Sequence, residues 1–150
     1  MLFWLIPAIL VSAGITIALL PVGKIDGPEI VVYKSPTCGC CKKWVTHLRD
    51  NGFNVKALNT QNVNPIKQQQ GVTPKLASCH TAIVAGYTIE GHVPAKDIHR
   101  LLKEKPNVKG LTVPGMPIGS PGMEQGNRKD PYAVLTFNGN GKTTVFSNYP

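Results

Sequence analysis

Three cysteines within four residues, Cys38, Cys40 and Cys41, constrain this chain more than any other feature. They stand where a predicted strand gives way to a predicted helix. Residues 30–34 (IVVYK) are β-branched and aromatic and read as a strand. Ser35, Pro36 and Thr37 supply a turn with N-cap residue types, and a helix is expected from Gly39 to Asp50, stopped by Asn51-Gly52. Sulfurs this close in sequence cannot staple distant segments together. Their placement suggests chemistry rather than a disulfide framework.

The rest of the pattern continues the alternation. A second strand is expected at 53–58, a short helix at 62–70, a third strand at 81–85 and a fourth at 88–90. Pro94 suits the first turn of a third helix, where its missing N–H would have no partner. That helix runs through KDIHRLLKE and stops before Pro106. The order β-α-β-α-β-β-α is that of an α/β, thioredoxin-like core. Residues 106–130 are a Pro/Gly-rich loop, long enough to suggest a function. Residues 131–137 and 142–147 alternate about Asn138-Gly139-Asn140-Gly141 as a closing β-hairpin. Residues 24–29 read as a linker, 30–105 as the core domain, and 106–150 as a loop and hairpin packed on it.

Residues 1–23 carry no charged side chain. A run of this length crosses a bilayer as a helix at ~20 residues. No basic residue precedes it, which favours an uncleaved membrane anchor over a cleaved signal. Either reading sends the rest of the chain across a membrane. The net charge of +8 raises the question of nucleic acid, but the 16 basic residues form no long run. A solvated basic surface with no nucleic-acid partner is the expectation.

At a helix start, free backbone N–H groups and the macrodipole favour thiolate. Lys42 and Lys43 add positive charge, and Gly39 lets the backbone bend between the first two sulfurs. Adjacent helix residues point ~100° apart. Cys40 and Cys41 therefore serve one ion awkwardly and suit bridging several. Cys79, just before the third strand, faces the motif in a thioredoxin-like core and brings a fourth thiolate. Such sites suit Cu(I), Zn(II) and iron–sulfur clusters. Cu(I), as several ions, is the first choice; zinc, with His80 or His92 completing a Cys₃His set, is the alternative. A plain Cys38–Cys41 disulfide with two bystander thiols is the less favoured account, because it leaves the clustering of four cysteines unexplained.

His80 follows Cys79 directly. In extended backbone the two would point to opposite faces, whereas a turn would let both bind. His92, in Gly91-His92-Val93-Pro94, is a further possible ligand. Met116 and Met123 sit in Pro-Gly-Met-Pro and Pro-Gly-Met-Glu, out of place as core filler, and thioether sulfur suits Cu(I). They read as a flap over the thiols. His47 and His99 are expected on helix surfaces, and Trp44 in the core.

The strings SPTCGCCKKWVTHLRDNGF, SCHTAIV, EGHVPAKDI and LTVPGMPIGSPGME, in that order, resemble the CopG-like copper-resistance family of bacterial periplasmic proteins. The resemblance spans residues 30–148 and implies a thioredoxin-like fold. It implies copper binding by a C-x-C-C motif with a further cysteine, carried here by Cys38, Cys40, Cys41 and Cys79. It also implies a role in copper handling or resistance, with an oxidoreductase role interconverting Cu(I) and Cu(II). Copper ions, and a copper chaperone or efflux component that exchanges them, are the expected partners. The expected location is the periplasm, with residues 1–23 anchoring the chain to the inner membrane. Two rivals stand beside this reading. One is a thiol–disulfide oxidoreductase using Cys38 and Cys41. Against it, Cys79-His80-Thr81 occupies the place where thioredoxins carry a proline. The other is a structural zinc site.

Overall fold

The computed structural model describes residues 26–150. Its elements run β1 (Glu29–Lys34), α1 (Gly39–Asp50), β2 (Asn54–Asn59), α2 (Asn64–Gln69), β3 (Thr81–Val84), β4 (Tyr87–Glu90), α3 (Ala95–Glu104), β5 (Gly110–Thr112), β6 (Tyr132–Phe137) and β7 (Thr143–Tyr149). The strands form one seven-stranded mixed sheet in the order β2-β1-β3-β4-β5-β6-β7. The β1–β2 and β4–β5 pairs are parallel, and the other neighbours antiparallel.

Helix α1 runs over the residues its cap and stop signals mark, and its burial follows one face. Cys41, Trp44, Val45 and Leu48 are its buried residues, spaced i, i+3, i+4, i+7 along one face. Trp44, Val45 and Leu48 pack with Ile30 and Val32 of β1, Ala82 of β3 and Ile89 of β4 in the main core, which Ile98 and Leu101 of α3 also enter. Each such side chain fully removed from water contributes ~1.5–3 kcal/mol. A smaller cluster joins Val72, Leu76 and Phe137.

Two local expectations change. Pro94 is the residue before α3 rather than part of its first turn, with φ −61° and ψ 140°. The proline offers no capping side chain, and the Ala95 N–H instead donates to His47 Nε2 of α1 at 3.0 Å. The stretch 106–130 is also not structureless throughout, since β5 enters the sheet between β4 and β6. Three residues are too few for a period-two signal. They are extended because the edges of β4 and β6 both hydrogen-bond to them. Gly110 lies against the Thr88 backbone, where a Cβ would overlap it. Through β5, the hairpin β6–β7 continues the same sheet. Asn138 closes its turn, its Oδ1 accepting from the N–H groups of Asn140 and Lys142 at 3.0 Å each.

The expected anchor, residues 1–23, lies outside the described residues. Among the described residues no helix is long and apolar enough to cross a membrane. The longest, α1, has 12 residues and carries Lys42, Lys43, Arg49 and Asp50, against the ~20 apolar residues a span needs. The expectation of a periplasmic chain held to the inner membrane by an N-terminal helix is corrected on this finding.

Candidate metal centre

The register of three strands sets the place of the site. Tyr33 pairs with Thr81, and Thr81 pairs with Glu90. The exit of β1, the entry of β3 and the exit of β4 therefore lie side by side. Strand β5 runs parallel to β4, so the chain leaves it at the same edge. Four segments meet there: Cys38–Cys41, Cys79–His80, His92, and the loop bearing Met116 and Met123.

Cys38 is the N-cap of α1, its Sγ accepting from the Cys41 N–H at 3.3 Å. Cys38 and Cys41 are joined as a disulfide, with Cα atoms 5.3 Å apart. The pairing disfavoured on sequence grounds is thus present. Its physical reason is that Cys41 lies one turn beyond the cap and faces back toward it, within the Cα range a disulfide spans. Cys40, rotated ~100° from Cys41, points elsewhere and stays free. It is no bystander. Its Sγ lies 3.4 Å from Cys38 Sγ and 3.8 Å from Cys79 Sγ. All four sulfurs lie within 4.8 Å of one another. A tetrahedral ion with metal–sulfur bonds of ~2.3 Å sets its sulfurs ~3.8 Å apart, which is the Cys40–Cys79 separation.

Cys79 belongs to a second group of donors. Its Sγ lies 3.1 Å from His92 Nε2 and 3.3 Å from His80 Nδ1. The backbone bends at Cys79 before β3 begins, so His80 and Cys79 do not splay to opposite faces. His92 Nδ1 sits 2.8 Å from the Pro121 carbonyl oxygen. A carbonyl only accepts, so Nδ1 carries the proton and the Nε2 lone pair faces Cys79. His80 is fully buried and its Nε2 has no hydrogen-bond partner. Its ring packs 4.3 Å from that of Trp44 and edge-on to His92 at 4.9 Å.

Burial controls the protonation of this group. It holds the His80 pKa well below the usual imidazole range, helped by His92 and Lys67 nearby. It lowers that of His92 too, opposed by the bond to Pro121. Both rings are therefore neutral at neutral pH, the form that ligates metals. The Cys79 thiol is pushed up to about 12 by burial and by Cys40 beside it. At neutral pH it keeps its proton.

The Gly/Pro-rich loop closes over these groups. Gly122 is buried at φ +87°, and a Cβ there would come within 2.8 Å of Cys40 O and 2.9 Å of Trp44 N. Met116, 53% exposed, fills no core. With Met123, Cys40, Lys43 and Glu124 it lines a cleft of about 380 Å³. The Ser78 hydroxyl donates to Gly115 O at 2.5 Å and ties the loop down beside Cys79.

Other singled-out residues lie outside the cluster. Trp44 is core, its indole N–H donating to Val93 O at 2.9 Å. His47 caps α3, and exposed His99 donates to Asn51 O at 2.8 Å while stacking on Phe53. Sequence reasoning passed over Pro121 and Gly122, which the repeated Pro-Gly-Met could have marked. It also passed over Glu90, a lone carboxylate ending an otherwise uncharged strand.

Fold and site together define a small mixed α/β protein whose chemistry is concentrated in one cysteine- and histidine-lined cluster of soft-metal donors. Two solved structures, of copper resistance protein CopG in its forms 2 and 1, are each 42% identical to the chain. They align with 83% of it and with 100% and 99% of their own lengths, at TM-scores of 0.79 and 0.78. A family model described as a protein of unknown function, DUF411, matches residues 76–123, the segment from Leu76 through Cys79, His92 and Met116 to Met123. No curated protein matches the chain. The chain belongs to the CopG copper-resistance protein family.

Proposed function

We propose that this chain is a copper-binding protein of copper handling or resistance. It holds Cu(I) at Cys38, Cys40, Cys41 and Cys79 on a thioredoxin-like fold. One observation carries the reading: four sulfurs from two separate segments, the start of α1 and the bend before β3, lie within 4.8 Å of one another. The copper-resistance relatives favour copper over zinc as the cargo. Reduced, the cluster offers four thiolates, and adjacent sulfurs bridge, so more than one Cu(I) binds per chain. His80 and His92 complete the donor set around Cys79. Met116 and Met123 offer thioethers at the cleft through which copper passes to or from a chaperone or efflux component.

The Cys38–Cys41 pair supplies electrons for interconversion. Two Cu(II) ions take one electron each from the two thiols. One S–S bond forms, two protons leave to solvent, and two Cu(I) remain on the other donors. A dithiol reductant returns the pair to two thiols, giving up two electrons and two protons as its own disulfide forms.

The test is anaerobic titration of the reduced chain with Cu(I) against a competing chelator. More than one ion per chain is expected, with losses on Cys40→Ser and Cys79→Ser. Absence of binding overturns the reading, and one zinc per chain with unfolding on chelation would establish the structural-zinc alternative. A second reading, thiol–disulfide exchange, is favoured specifically by the Cys38–Cys41 disulfide at a helix start. Robust insulin reduction without copper would establish it instead.

A further inference from the structure

A buried carboxylate outside the metal cluster brackets one of its members from both sides. Glu90 ends β4 and is fully buried. Its Oε1 accepts from the Ser78 backbone N–H at 2.7 Å, and its Oε2 from the Thr81 hydroxyl at 2.6 Å. Ser78 and Thr81 flank Cys79-His80, so a single carboxylate holds both ends of that bend. Lys67 of α2 places its ammonium 2.5 Å from Oε1 and 3.0 Å from the Thr81 hydroxyl oxygen.

A charge taken out of water is costly unless it is paired and its hydrogen-bonding capacity is used. Here both oxygens are used and Lys67 is the counter-ion. An apolar pair of similar volume would often stabilise a fold as well or better. What an apolar side chain cannot do is bind a backbone N–H and a hydroxyl on either side of a two-residue turn. The strand end that carries Glu90 also carries His92, two residues on, and the Gly91 N–H between them donates to His80 O at 3.1 Å. Cys79 is thus held by the segment from which His92 projects.

We propose that Glu90, with Lys67 as its counter-ion, is a positioning residue that sets Cys79 Sγ against His92 Nε2 and thereby tunes copper affinity. The proposal rests on the copper-binding reading of Cys79. Lys67 neutralises the carboxylate, so the clamp acts through geometry rather than by adding charge to the site. A carboxamide at position 90 keeps the size, but its nitrogen cannot accept, and one flank of the clamp is lost.

The test measures Cu(I) affinity of the reduced full chain by chelator competition, with thermal unfolding of each metal-free form alongside. The proteins are wild type, Glu90→Gln, Thr81→Val, Cys79→Ser, and each of the first two changes combined with Cys79→Ser. Glu90→Gln is expected to lower affinity about 10–100-fold, the range for groups that orient a metal ligand. Thr81→Val lowers it less, in the same direction. Neither lowers it further once Cys79→Ser is present, because the proposed effect is routed through the Cys79 sulfur. A merely structural role predicts the same fall in both backgrounds, and that result overturns the proposal. So does unchanged affinity in both Glu90→Gln and Thr81→Val, which leaves the copper reading intact. No Cu(I) binding by wild type, or no loss in Cys79→Ser, overturns the copper reading itself. Should Glu90→Gln fail to fold, Thr81→Val, which keeps the β-branched shape on β3, decides the question.

Discussion

Cys79 Sγ lies 3.1 Å from His92 Nε2, and the same imidazole is held from behind by Pro121 O, 2.8 Å from Nδ1. The contact joins the bend before β3 to the exit of β4, and the backbone bond extends it to the Gly/Pro-rich loop. On the proposed function, a soft cation bound at Cys79 would meet a ring already turned toward it. His92→Ala is expected to weaken Cu(I) binding by about tenfold or more, ~1.4 kcal/mol. His99→Ala, which touches none of these groups, leaves it unchanged. Chelator competition on the reduced protein measures both.

Copper binding is expected to strengthen as pH rises. The metal-free protein holds a proton on Cys79, whose pKa is pushed up to about 12. The metal-bound thiolate does not hold one, so binding releases that proton. Over the range from about pH 6 to 8, affinity rises about tenfold per pH unit for each proton released. Cys79→Ser removes one proton from the slope, which titrations at several pH values read directly.

Acid is expected to loosen the metal-free fold. His80 and His92 have folded pKa values lowered by burial, while in the unfolded chain each titrates near about 6.5. The unfolded state therefore binds protons first. The stability these rings retain when neutral is fully present above about pH 6.5 and is lost as pH falls toward the depressed folded values, at ~1.4 kcal/mol per unit for each ring. Urea midpoints should drop between about pH 7 and pH 5, more than a linear carboxylate background accounts for. His80→Phe, which keeps an aromatic ring against Trp44, should flatten that dependence.

Gly122→Ala is expected to lift the loop off the site. The position has φ +87°, and the new Cβ would come within 2.8 Å of Cys40 O. Strain of this kind costs ~1–3 kcal/mol. Thermal unfolding should register a loss in that range. Copper affinity should fall with it, since Pro121, which orients His92, is the preceding residue.

Most regular elements were legible because their signals are local. The turn at Ser35, Pro36 and Thr37 and the Asn51-Gly52 stop mark α1, which runs Gly39–Asp50 as expected, and Asn138-Gly139-Asn140-Gly141 marks the hairpin. Strand β5 was not, because Gly110–Thr112 is extended only by virtue of neighbours distant in sequence. The four cysteines declared the chemical character of the site. Their pairing was misjudged, because which sulfurs face each other depends on where α1 begins, and it begins one residue after a cysteine cap. The case of His80 turned on a single bend that the sequence left open.

By itself the sequence determined the donor types, the element that opens on Cys38 and most of the strands and helices. These follow from side-chain chemistry and from periodicities of two and 3.6 residues. Only the tertiary structure decided which donors meet. Strands β1, β3 and β4 pair so that Tyr33, Thr81 and Glu90 stand abreast, and this register carries Cys40 to the edge where the two ends of the β3–β4 hairpin hold Cys79 and His92. Sheet register is set by summed packing and hydrogen bonding over many residues. No local window contains that sum, so neither the 3.1 Å contact between Cys79 and His92 nor the carboxylate that brackets Cys79 could be read before the chain was folded.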